Sequence, residues 1–261
     1  MTKISSDFSD SIYITIVQYN ETGNKNISYF SITPPEGNGG WTIGNVQWDL
    51  KTNPQDAGKI LRDSLTASGN FTTEQAEAIR NALTDAGSNS NVNFGNITDS
   101  NGRPVSVESI NSALSTSTAE QTNAIESRDM FVQNTENAFQ AVVDNPNIFV
   151  SQAMEDPDTA VLLKSFFADY NNQYHITPGN SPMIDLLTKG EGTFGGDGTP
   201  VTTITINSAT DVIDAVKRAI FATKYAVENP KDAGRRAAHV VSAWLHKTRC
   251  LVPGFDGAGY V

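Results

Sequence analysis

The chain has 261 residues, 38 % apolar and 18 % charged, with a net charge of −11 and a single cysteine, Cys250. This length suffices for one large domain or two lobes with a real core, and the composition excludes a disordered chain or a coiled coil. It also excludes an internal disulfide, and no apolar run approaches the roughly 18–20 residues of a membrane span.

The N-terminus, "MTKISSDFSDSIYITIVQYNET", lacks the basic segment, apolar core and small-residue cleavage site of a signal peptide, so synthesis in the cytoplasm is expected. Residues 7–21 place Phe8, Ile12, Ile16 and Tyr19 on one helical face. Ile12, Ile14 and Ile16 also alternate; the spacing favours a helix, with a strand as competitor. "ISYFSI" (27–32) reads as a strand, "GNGG" (37–40) as a turn and "WTIGNVQW" (41–48) as the returning strand. "NPQDAGKILRDSL" starts a helix with Asn53 as cap, Pro54 in the first turn and Asp56 at the positive end; the same device recurs from Asn229. Thr72 or Thr73 caps a helix running to Leu83.

Residues 87–106 form a polar Asn/Ser/Gly-rich loop, whose "DSNGR" lacks the ligand series of a calcium loop and reads as a plain turn. Residues 117–144 make a long helix carrying Ile125, Val132, Phe139 and Val143, and 158–170 a buried one. Residues 190–200, "GEGTFGGDGTP", read as a flexible loop and "VTTITI" (201–206) as a strand. Two helices, near 209–227 and 230–247, close the chain. The expected class is mainly α (α+β), with a small β element near the start.

Charge is uneven. Residues 217–261 hold eight Lys/Arg against three Asp/Glu, a net of +5, so the remaining residues carry −16. A polyanion would be attracted only at the C-terminal end. No zinc spacing and no basic–aromatic interleaving occur, so nucleic-acid binding and membrane insertion are not expected. His175, His239 and His246 are scattered and have no third ligand at metal spacing; no metal and no cofactor are implied.

One stretch concentrates chemistry. "EGNGGWTIGNVQWDL" (36–50) sets glycines that let backbone approach a ligand beside Trp41 and Trp48, whose flat faces suit a sugar ring. Together with Glu21 at the end of the first helix, "NET…Y…E…TIG" resembles the active-site region of the phage-type lysozymes, the glycoside hydrolase family 24 muramidases, and the lysozyme domain of pesticin. In that family a first helix ends in a catalytic Glu, and a β-hairpin follows with an acid and a Thr-Ile-Gly-x-Gly-His stretch. Here Glu21, Tyr29, Glu36 and Thr42 stand at matching places. Glu36 replaces the usual Asp, Val46 the second Gly and Gln47 the His. "LLKSFFADYNNQYHI" (162–176) and "DAGRRAAHVVSAW" (232–244) resemble helices of the second lobe, the latter without the family's late Glu.

The resemblance implies a lysozyme-like, two-lobed fold with a cleft: a catalytic lobe over 1–52, an enlarged helical region over 53–144 and a helical lobe over 145–261. It implies hydrolysis of the β-1,4 bond between N-acetylmuramic acid and N-acetylglucosamine in peptidoglycan. Glu21 would be the general acid, Glu36 the second carboxylate and Thr42 the water positioner, with Tyr29, Trp41, Gln47 and Arg235 binding substrate. The residues themselves fit that division: an acid near aromatics keeps its proton, while one in a glycine turn stays ionised. The acidic chain suits an antibacterial effector of a type VI secretion system acting on a target cell wall and matched by an immunity protein; a phage lysin is the second context. A chitosanase-like hydrolase and a non-catalytic lysozyme-like binding module are the alternatives.

Overall fold

The computed structural model describes residues 30–44, 48–174, 176 and 181–250, with side chains through residue 242. It is mainly helical with small sheets, and two compact units are drawn from Asn24–Phe131 and from Val132 onward. The boundary falls inside the region 53–144, so that the helices before it belong with the sheet.

In the first unit β1 (Ile32–Thr33), β2 (Thr42–Ile43) and β3 (Trp48–Asp49) form an antiparallel sheet in that order. Ile32 faces Ile43 and Thr33 faces Thr42; across the other side Thr42 faces Asp49 and Ile43 faces Trp48. The "WTIGNVQW" segment is thus two strands rather than one. Gly44, at φ +79°, turns the chain where a returning strand was expected. A side chain would also be crowded there: a Cβ would lie 3.0 Å from the Asn123 Oδ1 and 3.1 Å from the Ser127 Oγ.

Behind the sheet lie α1 (Asp56–Ala67), α2 (Thr73–Ala86), α3 (Val107–Leu114) and the first half of α4 (Ser117–Asp144). Ile60, Leu61 and Leu65 of α1, Ile79 and Leu83 of α2, and Ile110 and Leu114 of α3 are fully buried. Thr72 caps α2 through a reciprocal capping box with Gln75. Asn53 does not cap α1. That helix starts at Asp56 behind Gln55, and Asn53 contributes its carbonyl, which accepts the Ala57 N–H at 3.0 Å. "DSNGR" is a turn closed by Asp99, which accepts the Asn101 and Arg103 amides at 2.8 and 2.9 Å.

The second unit continues α4 and adds α5 (Ile148–Ala153), α6 (Pro157–Tyr174), α7 (Pro182–Lys189), the hairpin β4 (Glu191–Gly196) and β5 (Thr199–Thr205), α8 (Val212–Phe221), α9 (Lys224–Glu228) and α10 (Pro230–Cys250). Its core centres on α6. Leu163, Phe166 and Phe167 are fully buried, and Phe139 meets Phe167 edge-on at 4.9 Å. Each such side chain contributes about 1.5–3 kcal/mol by leaving water.

Residues 191–196, expected within a flexible loop, are strand β4, with Gly192 and Phe194 turned inward. Glycine hides this strand in the sequence: a Cβ on Gly192 would strike the Pro182 carbonyl at 2.2 Å, so the close approach to α7 demands glycine. The helix expected over 209–227 divides after Phe221, where Thr223 caps α9 by accepting the Ala226 amide.

Between α6 and α10, Asp169 and Arg236 pair at 2.8 Å with side chains 3 % and 6 % exposed. Removing one charge strands the other in the interior. Asp169→Ala is expected to destabilise the fold by about 3–5 kcal/mol in urea unfolding.

Candidate functional site

The site expected from the sequence centres on the segment between β1 and β2. Its geometry comes from side chains that satisfy backbone groups the short strands leave open. The Gly39 N–H donates to the Glu36 carbonyl at 3.0 Å, closing a turn. Asp49, next in line after Trp48, accepts the Gly40 N–H on one oxygen at 2.9 Å and the Lys51 and Thr52 N–H groups on the other at 2.7 and 3.1 Å. The Lys51 ammonium then reaches back to the Asn38 carbonyl and the Ser88 hydroxyl, each at 2.8 Å. The turn carrying Glu36 is therefore tied at Asn38, Gly39 and Gly40.

Glu36 itself is exposed, and among the described residues nothing hydrogen-bonds or ion-pairs with its carboxylate. Thr42 is partly exposed in the central strand. Trp41 departs from its expected place on a saccharide-binding wall. Its ring is 1 % exposed, its indole N–H donates to the Asn89 carbonyl at 3.0 Å, and it fills the core of the first unit. A ring so enclosed offers no face to a sugar. Trp48 is buried as well. Glu21, Tyr29 and Gln47 lie outside the described residues.

Arg235 belongs to the second unit, on α10. Its guanidinium donates to Asp232 Oδ1 at 2.9 and 2.6 Å, and the Tyr225 hydroxyl donates to Asp232 Oδ2 at 2.5 Å. Burial raises the Asp232 carboxyl, but Tyr225 and Arg235 outweigh it and hold the group below the usual carboxylate range. Beside it, burial and then the Arg235 charge push His239 down.

Sequence reasoning missed two further groupings. Asn123 and Ser127 of α4 are buried against Gly44, and the Asn123 amide nitrogen has no hydrogen-bond partner. Nothing in the local sequence marks them, because the contact is made by folding. The second grouping is Lys59 and Asp63 of α1 with Glu126 of α4: the Lys59 ammonium lies 2.9 Å from Asp63 and 2.5 Å from Glu126. Burial raises the Glu126 carboxyl; Asp63, also raised by burial, is carried below its usual range by Arg62 and Lys59.

Among the described residues, no three His, Cys, Asp or Glu side chains are grouped to hold a metal ion, and no helix is long and apolar enough to cross a membrane. No family model, curated protein or solved structure matches the chain.

Asp49→Ala removes the acceptor for three amides. It is expected to cost about 2–3 kcal/mol in urea unfolding and to speed proteolytic cleavage between residues 36 and 40, while Glu36→Gln stays within about 0.5 kcal/mol of wild type.

Asp232 binds protons less tightly folded than unfolded, so its contribution is whole above the unfolded value of about 4 and is lost as pH falls through the lower folded one. Asp232→Asn should therefore flatten the acid limb of the stability curve below about pH 4, measured as the urea midpoint at stepped pH.

Proposed function

We propose that the chain is a glycoside hydrolase that cuts the β-1,4 bond between N-acetylmuramic acid and N-acetylglucosamine in peptidoglycan. One observation carries the reading. Thr42-Ile43-Gly44 occupies the central strand and turn of a small antiparallel sheet in an otherwise helical unit, directly after a pinned glycine turn bearing a free carboxylate. The resemblance to phage-type lysozymes implies that arrangement for the second acid and the threonine.

In this scheme the Glu21 carboxyl gives its proton to the leaving glycosidic oxygen as the C–O bond breaks. The exposed Glu36 carboxylate stabilises the oxocarbenium-like centre or takes a proton from the attacking water. The Thr42 hydroxyl orients that water. Lys51 and Asp49 act through Glu36 by holding its turn. With Trp41 in the core, sugar contacts fall to Tyr29, Gln47 and polar backbone of the glycine turn; Arg235 would meet substrate only through the Asp232 pair. A lysozyme-like two-lobed fold, delivery as an antibacterial effector and an immunity protein in the producing cell belong to the same proposal.

The excess of acids outside residues 217–261 favours a second reading, a hydrolase of a cationic polysaccharide such as chitosan. Digesting purified peptidoglycan and chitosan in parallel separates the two. Mass spectrometry of the muropeptides is expected to show reducing muramic acid ends. Glu21→Gln and Glu36→Gln should each lower turnover by at least about 100-fold with folding unchanged, the range of a lost general acid or base. Intact glycan with the wild-type chain, or undiminished lysis by Glu21→Gln, would remove the assignment.

A further inference from the structure

We propose that the cleft between α2 and the loop that returns along it is a saccharide subsite, which holds uncharged N-acetylated sugars of a glycan strand beside the Glu36 turn. The choice of ligand rests on the hydrolase reading; the place rests on the cleft.

Gly87 ends α2, and the Ser100 N–H donates at 2.9 Å to the carbonyl of Asn70, which precedes that helix. Residues 87–100 therefore run back along α2. Between helix and loop lies an open cleft of about 560 Å³. Its floor is the row Ala78, Ala82 and Ala86, spaced four apart on one side of α2, while Ile79 and Leu83 face the core. At 1.5 Å per residue the row is about 12 Å long, room for more than one pyranose ring. Asn81 and Asp85 stand beside the floor, and Asn91 and Val92 come from the loop.

The polar groups of this cleft are uncommitted. Among the described residues no hydrogen bond or ion pair uses the side chain of Asn81, Asp85 or Asn91. A carboxamide donates and accepts at once, so Asn81 and Asn91 can match the N–H and C=O of an acetamido group, and Asp85 can accept from neighbouring hydroxyls. The alanine floor and Val92 suit a ring face or an acetyl methyl. No aromatic or long aliphatic side chain lines the cleft, so the anchor residue of a peptide finds no pocket there. One acid and no base line it, which turns away an anion.

The loop wall is held in place by its own bonds, so a ligand need not order it. Asn89 accepts the Trp41 indole N–H on its carbonyl at 3.0 Å and the Asn91 N–H on its side chain at 2.9 Å; the Asn93 side chain accepts the Gly95 N–H at 2.8 Å. The same segment ties the cleft to the glycine turn. The hydroxyl of Ser88, next to the cleft residue Asn89, donates to the Asn38 carbonyl at 3.2 Å. Asn38 is two residues from Glu36, at most about 7 Å of chain. A glycan strand cut at Glu36 thus carries its neighbouring sugars to the Asn89 end of the cleft.

Titrating the isotope-labelled full chain with the tetramer of N-acetylglucosamine, followed by NMR, tests this. The side-chain amide signals of Asn81 and Asn91 should shift with a millimolar Kd, as suits exposed polar groups that exchange water for sugar. Asp85→Ala and Asn91→Ala, both at exposed positions, should keep a dispersed spectrum, weaken binding at least about fivefold and raise the KM for peptidoglycan. Asn81→Ala replaces either variant that does not fold. Amide signals unmoved at about 10 mM tetramer, or binding that the variants leave intact, overturn the proposal. Tighter binding of the deacetylated, cationic tetramer overturns the choice of an N-acetylated sugar. A chain that binds in the cleft yet leaves glycan uncut keeps this site and loses the hydrolase reading; one that cuts glycan with a KM indifferent to the variants keeps the hydrolase reading and loses the site.

Discussion

A sheet whose strands are two residues long cannot hold itself by its own ladder. Each of β1, β2 and β3 is that short, so most of their backbone groups need partners from elsewhere. Side chains supply them. Asp49 takes three amides, and the Asn111 amide of α3 meets β1 as another strand would, its oxygen accepting the Ile32 N–H at 2.9 Å. Lys51 closes the loop over Asn38. The shape of the Glu36 turn thus depends on a few charge-assisted bonds more than on strand propensity. Trp41 and Trp48 then anchor the assembly by burial, and for that reason neither ring can serve as a platform for a sugar.

The second unit solves a different problem. Its core is a continuous aliphatic and aromatic cluster around α6, yet that helix also carries Asp169 into the interior. The Arg236 guanidinium meets it. Such a pair contributes little net stability against a hydrophobic equivalent, but it penalises any register of α10 that leaves either charge alone. Asp232, Tyr225 and Arg235 extend the polar contacts toward the helix start, so the "DAGRRAAH" segment is held by carboxylates on both sides of its arginine pair.

Periodicity made the long helices legible: α2 with its Thr72 capping box, α4 and α6 all lie where apolar spacing puts them. The mainly helical class with a small early sheet follows from the same signal. Short elements were not legible. Ile148–Ala153 and Pro182–Lys189 are too brief for a period to register, and β4 is masked by glycines that close packing requires. At the candidate site, the hairpin and its turn can be read from "GNGG" and "TIG", but the burial of Trp41 cannot. Its neighbours come from Asn89, far along the chain, and a tryptophan beside glycines reads alike whether it faces core or solvent. Asp49 was hidden for another reason: an acid at a strand end gives no hint that three amides converge on it.

Burial raises the Glu126 carboxyl, and that perturbation alone would nominate it as the acid of a site. Geometry argues otherwise. One Glu126 oxygen is occupied by the Lys59 ammonium, the other is buried without a partner, and Asp63 shares the same lysine. A lysine held between acids on α1 and α4 fastens two helices together, and the one Glu126 oxygen it leaves unpaired is buried away from any substrate. Glu36 has the opposite character: no bonded partner among the described residues, an exposed side chain, and a turn fixed by Asp49 and Lys51. Catalysis by a carboxylate requires a position held by the scaffold and an uncommitted oxygen that substrate can reach. In the first unit the glycine turn meets both requirements, and the lysine-bridged pair meets only the first.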